Sequence, residues 1–158
     1  MTTAAAPGSE YVRVLGAAMI ALGASAVMIG LSIYLLGGAA TGNATQALVA
    51  RLSGGALFVP WITDPTMESE FGFYAPLWIA FGLVLIVTAR DLPRTLHRVP
   101  LLATLFFAGG VGRGLAWARV GPPRSAFVVL MVIELVLPLF LIALWAVAWR
   151  SNRATAPT

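Results

Sequence analysis

Four long apolar runs, at residues 14–36, 71–89, 99–118 and 125–149, constrain this chain more than any other feature. Each reaches the roughly 20 residues that cross the hydrocarbon core of a bilayer. In lipid, every backbone N–H and C=O must find its partner within the protein, and a chain with four such runs meets that demand only as helices. The expected fold class is an all-α membrane protein, a four-transmembrane-helix bundle. Composition agrees: 59% of the 158 residues are hydrophobic and 10% are charged, whereas a soluble domain carries about a quarter charged residues. The first run resembles a signal peptide only in position. It is too long, and the segment before it holds Glu10 and only Arg13.

The basic residues are ten arginines and no lysines, a bias that fits a GC-rich bacterial genome. They gather at the ends of the apolar runs, as orientation signals do. Arg13, Arg90, Arg94, Arg98, Arg150 and Arg153 fall on one side, and Arg51, Arg119 and Arg124 on the other. Six against three favours both termini inside, N-in/C-in; the expected location is the bacterial plasma (inner) membrane, as a multi-pass protein. Tyr34, Tyr74 and Trp117 then fall near the outer interface, and Trp145 and Trp149 near the inner one, as aromatic belts do. The formal charge of +4 is thereby accounted for, and no nucleic-acid partner is expected. The absence of cysteine removes disulfides and thiolate metal sites, and the single histidine, His97, cannot build a paired-histidine haem site. No cofactor and no metal are expected.

The chain divides into a disordered N-terminal tail at 1–10, the transmembrane domain at 11–150 and a C-terminal tail at 151–158. One long connection, from about 38 to 69, separates the first two runs. Within it Leu48, Val49 and Leu52 stand at helical spacing, so 45–52 reads either as a short helix on the outer interface or as irregular loop. Asp64-Pro65 has the form of a helix cap followed by proline at the first helical position, so the second helix is expected to start ahead of its apolar run. Asp91 and Pro93 would end it. Gly121-Pro122-Pro123 is a tight turn that makes the third and fourth helices antiparallel neighbours.

Gly16, Gly23, Gly30 and Gly37 recur every seven residues in the first run. Such a series drifts only about 20° per step and forms one groove along the helix. Small residues let helix backbones approach closely where lipid removes the usual hydrophobic drive. Gly109, Gly110, Gly112 and Gly114 offer a second small-residue surface. Besides membrane lipids, these grooves point to a membrane-protein partner or a second copy of the chain.

Two ionisable residues lie inside apolar runs. Arg113 is five residues from the outer end of the third run, and Glu134 nine residues into the fourth. At about 1.5 Å per residue these depths are roughly 8 and 14 Å, a difference that an arginine side chain spans. An isolated charge there costs about 2.5–3.5 kcal/mol or more, so we expect Arg113 and Glu134 to pair. Pro138 leaves the Glu134 carbonyl without its helical donor and concentrates acceptors in one turn. Glu70, Tyr74 and Trp78 share a face of the second helix. If that face turns inward, Glu70, Tyr74, Trp78, Arg113 and Glu134 surround a ligand-binding cavity open to the outside. Otherwise Glu70 complements its helix dipole, the aromatics serve packing, and the charge pair is a structural clasp.

Glu70-Phe71-Gly72-Phe73-Tyr74-Ala75-Pro76-Leu77-Trp78, Gly109-Gly110-Val111-Gly112-Arg113, Gly121-Pro122-Pro123 and Glu134-Leu135-Val136-Leu137-Pro138 resemble, in order and spacing, the bacterial family called domain of unknown function 4345. The resemblance extends from the first helix to the fourth. It implies a four-helix architecture, similar in layout to DoxX-like membrane proteins, and it implies no activity.

The expected function is binding of a lipid or small amphipathic ligand in an outward-facing intramembrane polar pocket. The alternative is an accessory or assembly subunit of a larger membrane complex, with a partner helix in the glycine groove of the first helix. An enzyme using Glu134 as general acid or base ranks below these, because no nucleophile, metal cluster or phosphate loop stands beside it. No catalytic residue is assigned.

Overall fold

The computed structural model describes residues 7–52 and 64–154, and among these the chain is helical with no strand. Helix α1 runs Pro7–Leu36, α2 Gly38–Leu52, α3 Pro65–Arg90, α4 Leu92–Thr95, α5 Val99–Val120 and α6 Ser125–Ala154, with a 3-10 turn, Leu96–Arg98, between α4 and α5. Among the described residues, four stretches are long and apolar enough to cross a membrane: Glu10–Leu36, Pro65–Arg90, Leu92–Val120 and Ser125–Ser151. This is a multi-pass membrane protein.

The helices outrun the apolar segments, because a polar residue does not end a helix unless a breaker accompanies it. Helix α1 opens on Pro7, whose missing N–H is no loss at a first helical position, and carries Glu10 in its first turn. Residues 7–10, expected to belong to a disordered tail, are therefore helical; residues 1–6 lie outside the described part. Likewise α3 begins at Pro65, ahead of its apolar run as Asp64-Pro65 leads one to expect, α5 continues to Val120, and α6 continues into the expected C-terminal tail as far as Ala154. At the start of α3, the Asp64 carboxylate accepts hydrogen bonds from the N–H groups of Thr66 (2.8 Å) and Met67 (3.0 Å). That helix ends at Arg90, with Asp91 as its C-cap.

Two glycines make the sharp turns. Gly37 adopts φ +90° between α1 and α2, and Gly121 φ +96° at the end of α5, a region that costs a residue with a Cβ. Of the two readings open for 45–52, helix is the outcome: the whole of Gly38–Leu52 is helical.

Helix α1 packs closely on α3 and, along another face, on α6, while α5 lies against α6. The α1–α3 contact is set by glycines on both sides. A Cβ on Gly23 would stand 2.7 Å from the Gly82 carbonyl oxygen, and one on Gly82 would stand 2.5 Å from that of Gly23. At Gly30 a Cβ would stand 2.9 Å from the carbonyl oxygen of Ala75. The groove on α1 is thus filled by α3 of the same chain and is not free for a partner helix. On α5 only Gly110 is used so closely, against Leu135 and Glu134 of α6; Gly112 has open space around it.

Leu15, Met19, Leu85, Leu92, Leu96, Val99, Leu102, Leu141 and Ala148 form the buried core. All belong to the end of the bundle that carries Arg13, Arg90, Arg98 and Arg150. There the Trp145 indole N–H also donates to the Leu96 carbonyl (2.9 Å), tying α6 to the 3-10 turn.

Candidate functional site

At the other end the bundle is looser. A cavity of ≈ 180 Å³ lies beneath α2 and takes its walls from every long helix: Ile29 and Ile33 of α1, Phe71, Tyr74 and Trp78 of α3, Arg113 of α5, and Phe127 and Leu130 of α6. Gly38, Thr41, Gly42 and Thr45 of α2 form its roof.

Helix α2 is held there by polar contacts that its own sequence does not reveal. No Ser, Thr, Asp or Asn precedes Gly38 to accept its first N–H groups. The acceptor comes instead from α3: the Glu68 carboxylate receives the N–H of Gly38 and that of Ala39 (3.3 Å). A negative charge at a helix N-terminus also complements the dipole. Thr41 Oγ1 donates to the Gly37 carbonyl (2.9 Å) and lies 2.8 Å from Ser32 Oγ of α1. Farther along, an Arg124 guanidinium N–H donates to Gln46 Oε1 (3.4 Å), joining α2 to the start of α6.

The Arg113 Nε–H donates to Glu134 Oε2 at 2.7 Å. The depth argument placed these residues within reach, and the close approach at Gly110 brings α5 near enough to α6 for contact. The carboxylate is almost fully enclosed, with 5% of its side chain exposed, whereas Arg113 retains 31%. The Arg113 guanidinium also sits 5.7 Å from the centroid of the Phe127 ring, a cation–π distance. Only Nε is spent on Glu134; among the described residues, the two terminal nitrogens have no hydrogen-bond partner. Arg113 borders both the cavity under α2 and a second one of ≈ 280 Å³ at the α5–α6 turn, lined by Trp117, Pro122 and Phe127 among others.

The other expected site residues divide. Tyr74 and Trp78 line the cavity with Arg113. Glu134 stands behind Arg113 and holds it, without lining the cavity. Glu70 does not join them. It is exposed and absent from the cavity wall, because its position at the start of α3 points away from α2. Glu68, two residues earlier and so about 200° around the helix, is the inward carboxylate. The sequence signal for Glu68 was indirect: a helix start after Gly37 with no cap of its own needs an acceptor from elsewhere.

An all-helical membrane bundle with a partly buried ion pair beside a largely apolar cavity is the class that this geometry defines. More particularly, the chain belongs to the family described as Domain of unknown function (DUF4345), whose model matches residues 9–146. No curated protein matches the chain, and no solved structure does.

Proposed function

We propose that this protein binds a lipid or small amphipathic ligand in the cavity between α2 and the transmembrane helices. The observation that carries the reading is the one-sided use of Arg113. A structural clasp alone would favour the two-pronged bond that arginine and carboxylate readily form. Here a single nitrogen meets Glu134, while Arg113 also lines an apolar, aromatic-walled space. Ligand pockets have this character: mostly apolar walls with a few polar groups that set orientation.

In this reading the cavity opens toward the outer face of a bacterial plasma membrane, with both termini inside. The arginine distribution supports that orientation. The chain lacks cysteine, so single cysteines can report it. With a membrane-impermeant maleimide, Thr66→Cys should label in intact cells and Arg94→Cys only after lysis; the reverse pattern would invert the topology.

The binding test is native mass spectrometry of protein released gently from membranes. The comparison is between wild type and Arg113→Gln/Glu134→Gln, in which two amides replace the ion pair without leaving a buried charge. A small amphiphile carried by wild type and lost from the double variant is the expected result. No small molecule on wild type, or one held equally by both, overturns the reading. A stoichiometric protein held by both would favour an accessory subunit instead; the open surface at Gly112 of α5, rather than the filled groove of α1, is where such a partner or a second copy would pack.

A further inference from the structure

The cavity under α2 adjoins a second space. A groove of ≈ 170 Å³ runs between α3 and α5 and is lined by Tyr74, Leu77, Trp78, Phe81, Leu105 and Phe106. Tyr74 and Trp78 belong to both walls. The α3 and α5 backbones do not pack closely, in contrast to α1 on α3 and α5 on α6. Aromatic rings close the seam instead: Trp78 meets Phe106 edge-on at 6.5 Å, and Phe81 stacks on Phe106 at 6.1 Å. A seam shut by side chains opens by rotamer changes, with no helix displaced. Tyr74, Leu77 and Leu105 are each half-exposed, so the groove reaches the surface of the bundle.

Resting on the ligand-binding reading above, we propose that the ligand is a single-chain lipid with an uncharged head, of the monoacylglycerol kind. It enters sideways from the bilayer between α3 and α5. Its head lies at Arg113, and its chain passes between Tyr74 and Trp78 into the groove.

Three observations select this ligand. The first is size. A cavity of about 150 Å³ holds a molecule such as benzene, so ≈ 180 Å³ accepts a head and a few carbons but not a long chain. The chain needs a further apolar bed, and the adjoining groove supplies one, narrow enough for a single chain. The second is charge. Glu134 already neutralises Arg113, so an anionic head would leave net charge within the membrane, where it is costly. The third is hydrogen-bond type. Arginine offers donors only, which calls for an acceptor such as an ester carbonyl. The Thr45 hydroxyl on the cavity roof gives its proton to the Thr41 carbonyl (2.9 Å), leaving an acceptor for a head-group hydroxyl. A glyceryl ester carries both functions.

The test uses wild-type protein in nanodiscs and a palmitoylglycerol bearing a diazirine in mid-chain. Photo-adducts should map to Leu77, Phe81 or Leu105. Unlabelled monopalmitoylglycerol should compete at least about tenfold better than ionised palmitate, a preference worth about 1.4 kcal/mol. Leu105→Trp fills the groove and should weaken monopalmitoylglycerol by about tenfold or more, since the chain loses its apolar bed. Monobutyrylglycerol, which needs only the inner cavity, should bind Leu105→Trp as it binds wild type. Palmitate competing as well as the glyceride would overturn the uncharged head. Monopalmitoylglycerol unaffected by Leu105→Trp, yet lost in Arg113→Gln/Glu134→Gln, would overturn the lateral groove and leave the binding reading standing. If neither the long nor the short glyceride binds wild type, the proposal fails, and the mass spectrometry above decides separately whether another ligand is held.

Discussion

The two ends of the bundle solve the same problem differently. At the arginine-rich end, Leu15, Met19, Leu85, Leu96, Val99 and Leu141 fill the space among the helices. At the end under α2, the helices leave ≈ 180 Å³ open and place Arg113 on its wall. In a bilayer this contrast carries weight, because lipid tails are as apolar as leucine. A membrane helix gains little from merely hiding apolar surface, and what holds the bundle is close packing and satisfied polar groups. The first end uses packing. The second relies on the Arg113–Glu134 pair and the Glu68 cap, and the space left between them is available to something else. Variants at the two ends should therefore fail in different ways.

The largest expected effect is at the ion pair. Arg113→Ala leaves the Glu134 carboxylate enclosed without its partner, and removing one member of a buried pair costs about 3–5 kcal/mol. The lower part of that range is expected, because Arg113 keeps 31% of its side chain exposed and some screening with it. The double variant Arg113→Gln/Glu134→Gln should recover most of the loss. Unfolding in mixed micelles, followed by circular dichroism, measures both. Equal losses in the single and double variants would mean that the unpaired carboxylate is not what destabilises the single one.

Next comes packing itself. Met19 is fully buried at the filled end, and Met19→Ala should cost about 2 kcal/mol. This is the low end for such truncations, since the transfer part of the usual penalty is absent in lipid and the void remains. Leu130 already faces the cavity, so Leu130→Ala enlarges a space instead of creating one, and a cost below about 1 kcal/mol is expected. The same unfolding assay compares them. A Leu130→Ala loss as large as that of Met19→Ala would show that the two ends are equally tightly built.

This division also marks what was legible beforehand. The spans follow from run length alone, because lipid permits one solution. The Arg113–Glu134 pair follows from depth and the short Gly121–Pro123 turn. The register of α1 on α3 was half visible. The seven-residue glycine spacing announced a groove, but Gly82, the glycine that meets Gly23, has only Gly72 beside it in its apolar run and belongs to no repeat. Glu70 stands out in the sequence because it shares a face with Tyr74 and Trp78, whereas nothing in the pattern singles out Glu68. Which of the two turns inward depends on which way α3 faces at its first turn, and α2 decides it. Since only 45–52 carries a helical pattern, and reads equally as loop, the need of the Gly38 end for an acceptor could not be weighed.

A smaller effect sharpens the role of that acceptor. Glu68→Ala removes the carboxylate that receives the Gly38 and Ala39 N–H groups. Loss of a cap costs about 1 kcal/mol, and the loss should be local. Hydrogen exchange should speed up through the first turn of α2 while the amides near Met19 and Leu85 remain protected. Faster exchange at both ends would mean that α2 supports the whole bundle rather than roofing the cavity.

The smallest expected effect concerns Asp64, at the entrance to α3. The backbone N–H of Met67 is the main cause that holds its carboxyl below the ordinary value of 3.8; desolvation opposes it, and the backbone N–H and side chain of Thr66 add to the lowering. The ionised form is therefore favoured when the cap is made. A group whose folded pKa is depressed contributes its stability above its unfolded pKa and loses it as pH falls through the folded one. The cap is thus complete at neutral pH and weakens only below about pH 4. Protection factors at Thr66 and Met67, corrected for intrinsic exchange, should fall in that acidic window and stay flat above it. Asparagine caps helices as well as aspartate but does not titrate, so Asp64→Asn should keep the protection and lose its pH dependence. Acid sensitivity persisting in Asp64→Asn would trace the effect to another carboxylate, with Glu68, one turn on and bonded to α2, the first to examine. In that case acid would loosen the cavity roof, and the contrast between the two ends would become pH-dependent.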